Sequence, residues 1–284
     1  MELLTYQDAL AMAASALATA GIEAPRREAR LLLAHLLGLP RTLPPESAAV
    51  DAGRLHAALA RRAAREPLAF ITGTQGFWTI ELEVSPATLI PRADSETLIE
   101  AAITAFPDRA AVRRVLDLGT GTGCLLLAAL SEFPAAYGVG VDRVPEAASL
   151  ATRNAARLGL SDRAAFLAGD WAAALATRFD LLLCNPPYIE TAGIAGLMPE
   201  VAGHEPASAL DGGADGMAAY ATLMPTLKKL LSPGGVAILE LGAGQALAAA
   251  SLACEAGFAS ISTHPDLGGT QRALLLHGTP DQAA

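Results

Sequence analysis

Residues 184–190 read Cys-Asn-Pro-Pro-Tyr-Ile-Glu, directly after the apolar run Phe179–Cys184. Buried strands usually hand over to a Gly, Asn or Asp turn. Here a carboxamide, two rigid rings and a phenol follow. Pro186 confines Asn185 to extended geometry, and Pro187 does the same to Pro186. A backbone fixed in this way aims one carboxamide and loses little entropy when a ligand arrives. The ligand that suits it carries a planar nitrogen, an amide or an aromatic amine. Such a nitrogen holds its lone pair in the π-system and is a poor nucleophile. The side-chain oxygen of Asn185 and the carbonyl of Pro186 can accept both of its N–H hydrogens. That orients the nitrogen and stabilises positive charge developing on it. The ring of Tyr188 can cover the planar group, with Pro187 holding the turn. No strong base is needed before attack, because the proton can leave afterwards.

A second constellation begins at Asp117 with Asp-Leu-Gly-Thr-Gly-Thr-Gly. Gly119, Gly121 and Gly123 permit a sharp strand-to-helix turn and a close ligand approach, with Thr120 and Thr122 between them. Glycines alone are equally consistent with a tight turn and nothing more. About 20 residues on, the next strand ends at Asp142, where a carboxylate can accept from ribose hydroxyls or simply cap a helix. The third strand ends Gly-Asp-Trp. Asp170 can accept from an exocyclic amine and Trp171 can stack on an aromatic ring, or serve as core. Four successive strands thus present ligand-competent residues at their carboxyl ends, where open α/β sheets bind ligands. The spacing is G-x-G-x-G, not the G-x-G-x-x-G of dinucleotide enzymes. An electrophile for a planar nitrogen on a nucleoside carrier is the sulfonium methyl of S-adenosylmethionine, whose transfer to the nitrogen leaves S-adenosylhomocysteine.

Several elements must position these groups. The chain has 284 residues, 52% of them hydrophobic and many of those Ala, and a formal net charge of −9. Its longest charge-free stretches, such as Ala9–Ile22, run 14 residues, too short to span a bilayer. An acidic start with no Lys or Arg before Arg26 is not a signal peptide. Three scattered cysteines without metal-ligand spacing point to reduced thiols, a cytoplasmic setting and no metal. Residues 1–75 read as a small helical domain. Thr5 with Asp8 suits a cap, and Pro25 opens a second helix ended by Gly38 and Pro40. A third helix over about 50–65 carries Arg54, Arg61, Arg62 and Arg65, read as a solvated face. Residues 76–110 form a strand-containing linker, with one strand over Phe77–Val84 and a helix from near Asp94. From 111 to 284, seven strands alternate mostly with helices, predicting a Rossmann-like mixed sheet. The last connection is too short for a crossover, so the final strand runs antiparallel.

The chain resembles the HemK/PrmC family, the protein-(glutamine) methyltransferases of peptide chain release factors. The resemblance rests on "GFWTIELEVSPATLIPRADSETLIE", "VLDLGTGTGCLLLA", "GVDRVPEAASLATRNA", "FLAGDW", "LLLCNPPYIE" and "HEPASALDGGADGMAAY". It covers roughly residues 60–278. Asn-Pro-Pro-Tyr alone is shared with DNA adenine and ribosomal RNA guanine methyltransferases, but its combination with the flanking segments is far more specific. The resemblance implies a class I methyltransferase fold behind an N-terminal helical bundle. It implies that Gly119–Gly123, Asp142, Trp171 and Asn185 contact S-adenosylmethionine. It implies further that Asn185–Tyr188 hold the glutamine amide of the Gly-Gly-Gln loop of a class I release factor, with Asn185, Pro186 and Tyr188 catalytic. Ala93 stands where the family usually has Pro. His204 and Glu205 are read as loop-ordering. Methylation of an adenine or guanine amino group is the alternative. It calls for a basic patch that a charge of −9 does not favour, so no direct nucleic-acid partner and no membrane are expected. A protein that only binds the cofactor would need no second planar pocket.

Overall fold

The computed structural model describes residues 2–39 and 48–278, so the predicted role of Pro40 lies outside the described residues. The chain divides into two compact units, Met1–Thr74 with Met198–His204, and Gln75–Leu197 with Glu205–Ala284. Among the described residues no helix is long and apolar enough to cross a membrane.

In the first unit a short strand β1 (Leu3–Thr5) precedes α1 (Tyr6–Thr19). Thr5 caps α1 as expected, its hydroxyl accepting from the Asp8 amide at 3.1 Å. Tyr6, Ala9, Leu10, Ala13 and Leu17 lie buried along one stripe of that helix. Pro25 occupies the first turn of α2 (Pro25–Leu36). Then come β2 (Ala49–Asp51), α3 (Ala52–Ala63) and α4 (Leu68–Thr72). β1 and β2 pair antiparallel, a three-residue ribbon too short to stand out from a helical pattern. Leu32, Leu33, Leu55, Leu59 and Ile71 complete this unit's core. A later helix, α8 (Pro199–His204), belongs to the same unit.

Arg62 corrects the expectation of a solvated face, while Arg54 and Arg61 on the same helix are exposed as expected. The Arg62 side chain is only 7% exposed. Its guanidinium donates to Glu28 at 2.7 Å and to Glu200 at 3.0 Å. Arg65 adds a bond to Glu200 at 3.2 Å, and Arg61 pairs with Glu66. Helical spacing alone could not reveal this, because Glu200 lies 138 residues away in sequence.

The segment expected as one strand over 77–84 is two. β3 (Thr74–Phe77) and β4 (Ile80–Glu83) form their own two-stranded sheet. Trp78 turns the chain between them at φ 53°, its amide held by Glu96 and its indole N–H by Glu132, both at 2.8 Å. Glu96 opens α5 (Glu96–Ala105), after a tight turn at Ala93–Ser95. Arg92 has φ −104° and ψ 143°, the conformation a residue before proline adopts. Arg92 thus has the backbone that a proline at position 93 would require.

The large sheet follows with β5 (Arg114–Leu118), α6 (Cys124–Glu132), β6 (Tyr137–Asp142), α7 (Pro145–Arg157), β7 (Ala164–Ala168) and β8 (Phe179–Cys184). It continues through α9 (Ala218–Leu230), β9 (Leu231–Glu240), α10 (Ala246–Glu255), β10 (Ile261–Pro265) and β11 (Gln271–His277). The seven strands lie in the order β10-β11-β9-β8-β5-β6-β7. β11 runs antiparallel to both neighbours, as the short connection required. The central strands are buried on both faces, and successive residues alternate between two cores. Leu181, Leu183, Val236 and Ile238 pack with α5 and α6. Leu182, Cys184, Ala237 and Leu239 pack with α9 and α10. Strand order reverses between β5 and β8, the switch point at which such sheets bind ligands.

Arg62→Ala removes the cation that bridges Glu28 and Glu200, whose side chains are 20% and 14% exposed, and leaves Glu200 with Arg65. It should destabilise the protein by about 2–4 kcal/mol, near the range for breaking a buried ion pair. Urea unfolding of the variant beside wild type measures this.

Candidate functional site

The cleft lies at the carboxyl ends of β5, β6 and β8. Its empty volume, including the open space at its mouth, is about 990 Å³. Gly119, Thr120, Gly121, Thr122, Asp142, Asp170, Trp171, Asn185 and Pro187 all line it. Gly119 and Gly121 have φ of 73° and 54°, the left-handed conformation that glycine enters without penalty. The amides of Gly119 and Thr120 both donate to the Val141 carbonyl, at 2.8 and 3.0 Å. Asp142 accepts from the Gly121 amide on one oxygen and the Val144 amide on the other, each at 2.9 Å. Each carboxylate oxygen thus keeps an open lone pair. Asn154, fully buried, clamps the same loop by donating to the Thr122 carbonyl at 2.9 Å. Gly123 does not line the cleft. It opens α6, where an added Cβ would sit 3.1 Å from Leu127 and 3.2 Å from Ala151, so its part is packing. Trp171 holds φ 45°, an unusual value for a bulky residue, beside Asp170 at the cleft wall.

Below the loop, Asp117 is 1% exposed. The Thr120 hydroxyl donates to its Oδ2 at 2.6 Å, while Oδ1 has no hydrogen-bond partner among the described residues. Burial pushes this carboxyl up to about 7.

The Asn185 loop is held from three sides. Gln245 donates to the Tyr188 carbonyl at 2.9 Å. The Ile189 amide donates to the Leu210 carbonyl at 3.0 Å, and the Gly212 amide to the Ile189 carbonyl at 2.8 Å. Gly212 packs so closely that a Cβ would fall 2.8 Å from the Tyr188 Cα and 2.9 Å from the Pro187 oxygen. Only glycine fits there, which gives the Asp-Gly-Gly segment a physical reason. Glu205 orders the neighbouring segment, as expected. Its buried carboxylate accepts from the Ile90 amide at 3.1 Å and from the Arg92 guanidinium.

Asn185 donates through Nδ2 to the Ser95 hydroxyl at 3.1 Å. Ser95 donates to Glu240 Oε2 at 2.5 Å, and the Tyr188 hydroxyl to Glu240 Oε1 at 3.0 Å. Asn185 Oδ1 and the Pro186 carbonyl accept no hydrogen bond from the described residues. Pro186 and Tyr188 do not reach the cleft lining that contains their neighbours. Pro186 is buried, and the phenol of Tyr188 is turned to Glu240. Burial, and then the Glu240 charge, push that phenol's pKa up. Reading residues one strand end at a time missed Thr88, Arg92, Ser95 and Ser208, which also line the cleft. It missed Glu240 as well. The signal available was the pair of segments "LIPRADSE" and "HEPASALDGG", which carry three of these five, Arg92, Ser95 and Ser208.

Two outcomes follow from this geometry. Gly212→Ala should shift the Asn185 loop and lower turnover by roughly 10²-fold, the scale for small misplacements of a reacting group. Steady-state kinetics beside a melting curve measure this. Asp117 binds its proton up to about pH 7 when folded, against an ordinary value of 3.8. The folded form therefore loses stability as pH rises between those values and no further above them. Asp117→Asn should lack that loss, so its stability relative to wild type should be greater at pH 8 than at pH 4. Denaturant unfolding at both pH values tests it.

Comparison with known proteins gives the arrangement its family. Residues 8–73 match the PrmC N-terminal domain and residues 111–262 a methyltransferase domain. The chain is 47% identical over 268 residues to the release factor glutamine methyltransferase of Rhodospirillum rubrum, covering 91% of this chain and 81% of that one. It is 44% identical to that of Caulobacter vibrioides, covering 96% of each. Among solved structures it is similar to the T. thermophilus 16S rRNA N2 G1207 methyltransferase in complex with AdoMet and guanosine. There the TM-score is 0.52 at 22% identity, over 72% of this chain and 49% of that one, a likeness of fold alone. With both the N-terminal and the methyltransferase portions matched, this chain belongs to the release factor glutamine methyltransferase family and is an S-adenosylmethionine-dependent enzyme.

Proposed function

We propose that the cleft holds S-adenosylmethionine against the Gly119–Thr122 loop, and that Asn185–Tyr188 hold the side-chain amide of the glutamine in the Gly-Gly-Gln loop of class I release factors. The observation that carries this reading is Asn185 in the cleft lining, its Oδ1 accepting no hydrogen bond from the described residues. The fit of the cofactor rests on the donor set present. Asp142 has open lone pairs for ribose hydroxyls, Asp170 and Trp171 suit an adenine, and the glycine backbone admits close approach. When bound, that group supplies an electrophilic methyl. Everything else is done by the chain. Asn185 Oδ1 and the Pro186 carbonyl each accept one N–H of the amide and fix the nitrogen's direction. As the nitrogen shares its electron pair and becomes positive, both bonds strengthen, so they favour the transition state over the ground state. A hydrogen then leaves to solvent, giving an N-methyl amide. Glutamic acid at the target offers no hydrogens and would leave both acceptors unpaired, at about 1–3 kcal/mol each when buried.

The first unit is assigned to gripping the protein substrate, since one side chain offers little specificity, and the reaction to the cytoplasm. A net charge of −9 disfavours a polyanionic substrate.

Asn185→Ala should lower turnover by about 10²-fold or more while the protein stays folded. Asn185→Asp, which keeps an acceptor, should retain more activity than Ala. Incubation with labelled cofactor and a purified release factor should add one methyl, roughly 14 Da, to a single peptide, as transfer to one oriented nitrogen requires. Replacing the target glutamine should abolish the shift. Label that enters nucleic acid and survives protease would overturn the assignment.

A further inference from the structure

Three polar side chains behind the acceptor pair form one directed chain. Asn185 Nδ2 gives a hydrogen to Ser95 Oγ at 3.1 Å. Ser95 gives its single hydrogen to Glu240 Oε2 at 2.5 Å. Tyr188 gives its hydrogen to Glu240 Oε1 at 3.0 Å. Glu240 is the last residue of β9, beside β8 in register Cys184↔Leu239, so the sheet itself sets it next to Asn185. It is 1% exposed, and Ser95 2%.

The direction of this chain has a chemical cause. An ionised carboxylate can only accept. Ser95 must therefore donate to it, which leaves the hydroxyl only its lone pairs for Asn185. The end of a carboxamide that can face a lone pair is its NH₂. The other end, Oδ1, is thereby left for the substrate. Turning the carboxamide over would set its oxygen against the Ser95 lone pairs and its NH₂ against the substrate's NH₂, like against like at both ends.

We propose that Ser95 and Glu240 are positioning residues for methyl transfer, the Glu240 carboxylate fixing the Asn185 carboxamide through Ser95 with its oxygen toward the methyl-accepting nitrogen. This rests on the reading of Asn185 given above and extends it to the group that makes the site select an NH₂ acceptor. The same carboxylate pins the Tyr188 phenol, so one buried charge holds both ends of the loop.

The chain has an off state. If Glu240 takes up a proton, its hydroxyl can donate to Ser95, and Ser95 can turn its hydrogen toward Asn185 Oδ1. The carboxamide then loses its preferred direction. The ionisable groups around Glu240 are Arg272 on β11, Asp94 before α5, Tyr188 after β8, Tyr220 on α9, Cys184 on β8 and Cys124 on α6. Burial raises the pKa of Glu240, and Asp94 adds to this. Bonds from Ser95 and Tyr188 and the Arg272 charge oppose it. Turnover should fall as pH drops through a value above the ordinary carboxylate range.

The test uses the full-length enzyme with an intact release factor, and compares wild type with Ser95→Ala, Ser95→Thr, Glu240→Gln and Asn185→Ala. Turnover is followed across pH 5–9, and cofactor affinity by calorimetry. Ser95→Ala should lose roughly 10- to 100-fold in kcat, the scale of a misoriented reacting group, with cofactor affinity unchanged. Ser95→Thr, which keeps the hydroxyl, should recover most of that rate. Glu240→Gln should lose at least as much and also lose the acid limb of the kcat profile. If Asn185→Ala is impaired while Ser95→Ala and Glu240→Gln turn over like wild type with the same acid limb, the positioning role is wrong and the Asn185 reading stands. If Asn185→Ala itself keeps wild-type kcat, the reading beneath the proposal is wrong. Should Glu240→Gln fail to fold, the Ser95 pair decides. Loss in Ala with recovery in Thr supports the role, and wild-type kcat in Ala or equal loss in both overturns it.

Discussion

The position of β8 at the centre of the sheet is the constraint on which the site depends. It pairs parallel to β5 on one side and to β9 on the other. Each residue of Leu181–Cys184 is therefore fixed by two ladders and packed on both faces. The strand cannot slip by one residue without exchanging Leu182 and Cys184 for Leu181 and Leu183 between the two cores, which their different helices forbid. Asn185 inherits this precision. So do its neighbours, because Leu118 at the end of β5 and Leu239 near the end of β9 both stand opposite Cys184. The glycine loop and the carboxamide thus reach one cleft, with Glu240 buried behind Ser95, from three adjacent strand ends.

What the sequence made legible was whatever repeats at short range. The strands of the second unit, the caps at Thr5 and Pro25 and the reversed last strand all follow from local pattern and connection length. Residues at strand ends could be assigned to the cleft for the same reason. Trp78 shows where the pattern misleads. Alternation ran unbroken through Phe77–Val84, yet a positive φ at Trp78 splits it, stabilised by Glu96 and Glu132 from two different helices. Nothing in the eight residues themselves records those partners.

The same limit explains the other misses. Arg62 looks like one of four solvated cations on a helix until Glu28 and Glu200 arrive from distant segments. Gly123 looks like a third ligand-facing glycine, but it stands outside the cleft lining and packs closely on Leu127 and Ala151. Ser95 and Glu240 carry no local signature, being 145 residues apart and meaningful only as a pair. Periodicity reports which face a residue takes. It does not report which charge will be waiting there.

The cleft also needs to be inert where it is not acting. Cys124 lines it, and a thiolate beside an electrophilic methyl would be a far better nucleophile than any amide. Burial pushes this thiol up to about 12, and the negative charge of Asp117 adds to the effect. The sulfur therefore stays protonated and weakly nucleophilic at neutral pH. Asp117, itself pushed up to about 7, lies beneath the loop and not in the lining. Burial thus leaves a protonated thiol in the lining and the Asp117 carboxyl outside it. On the proposed reading a poor nucleophile succeeds because it is held in line by two acceptors, while the neighbouring thiol is kept protonated.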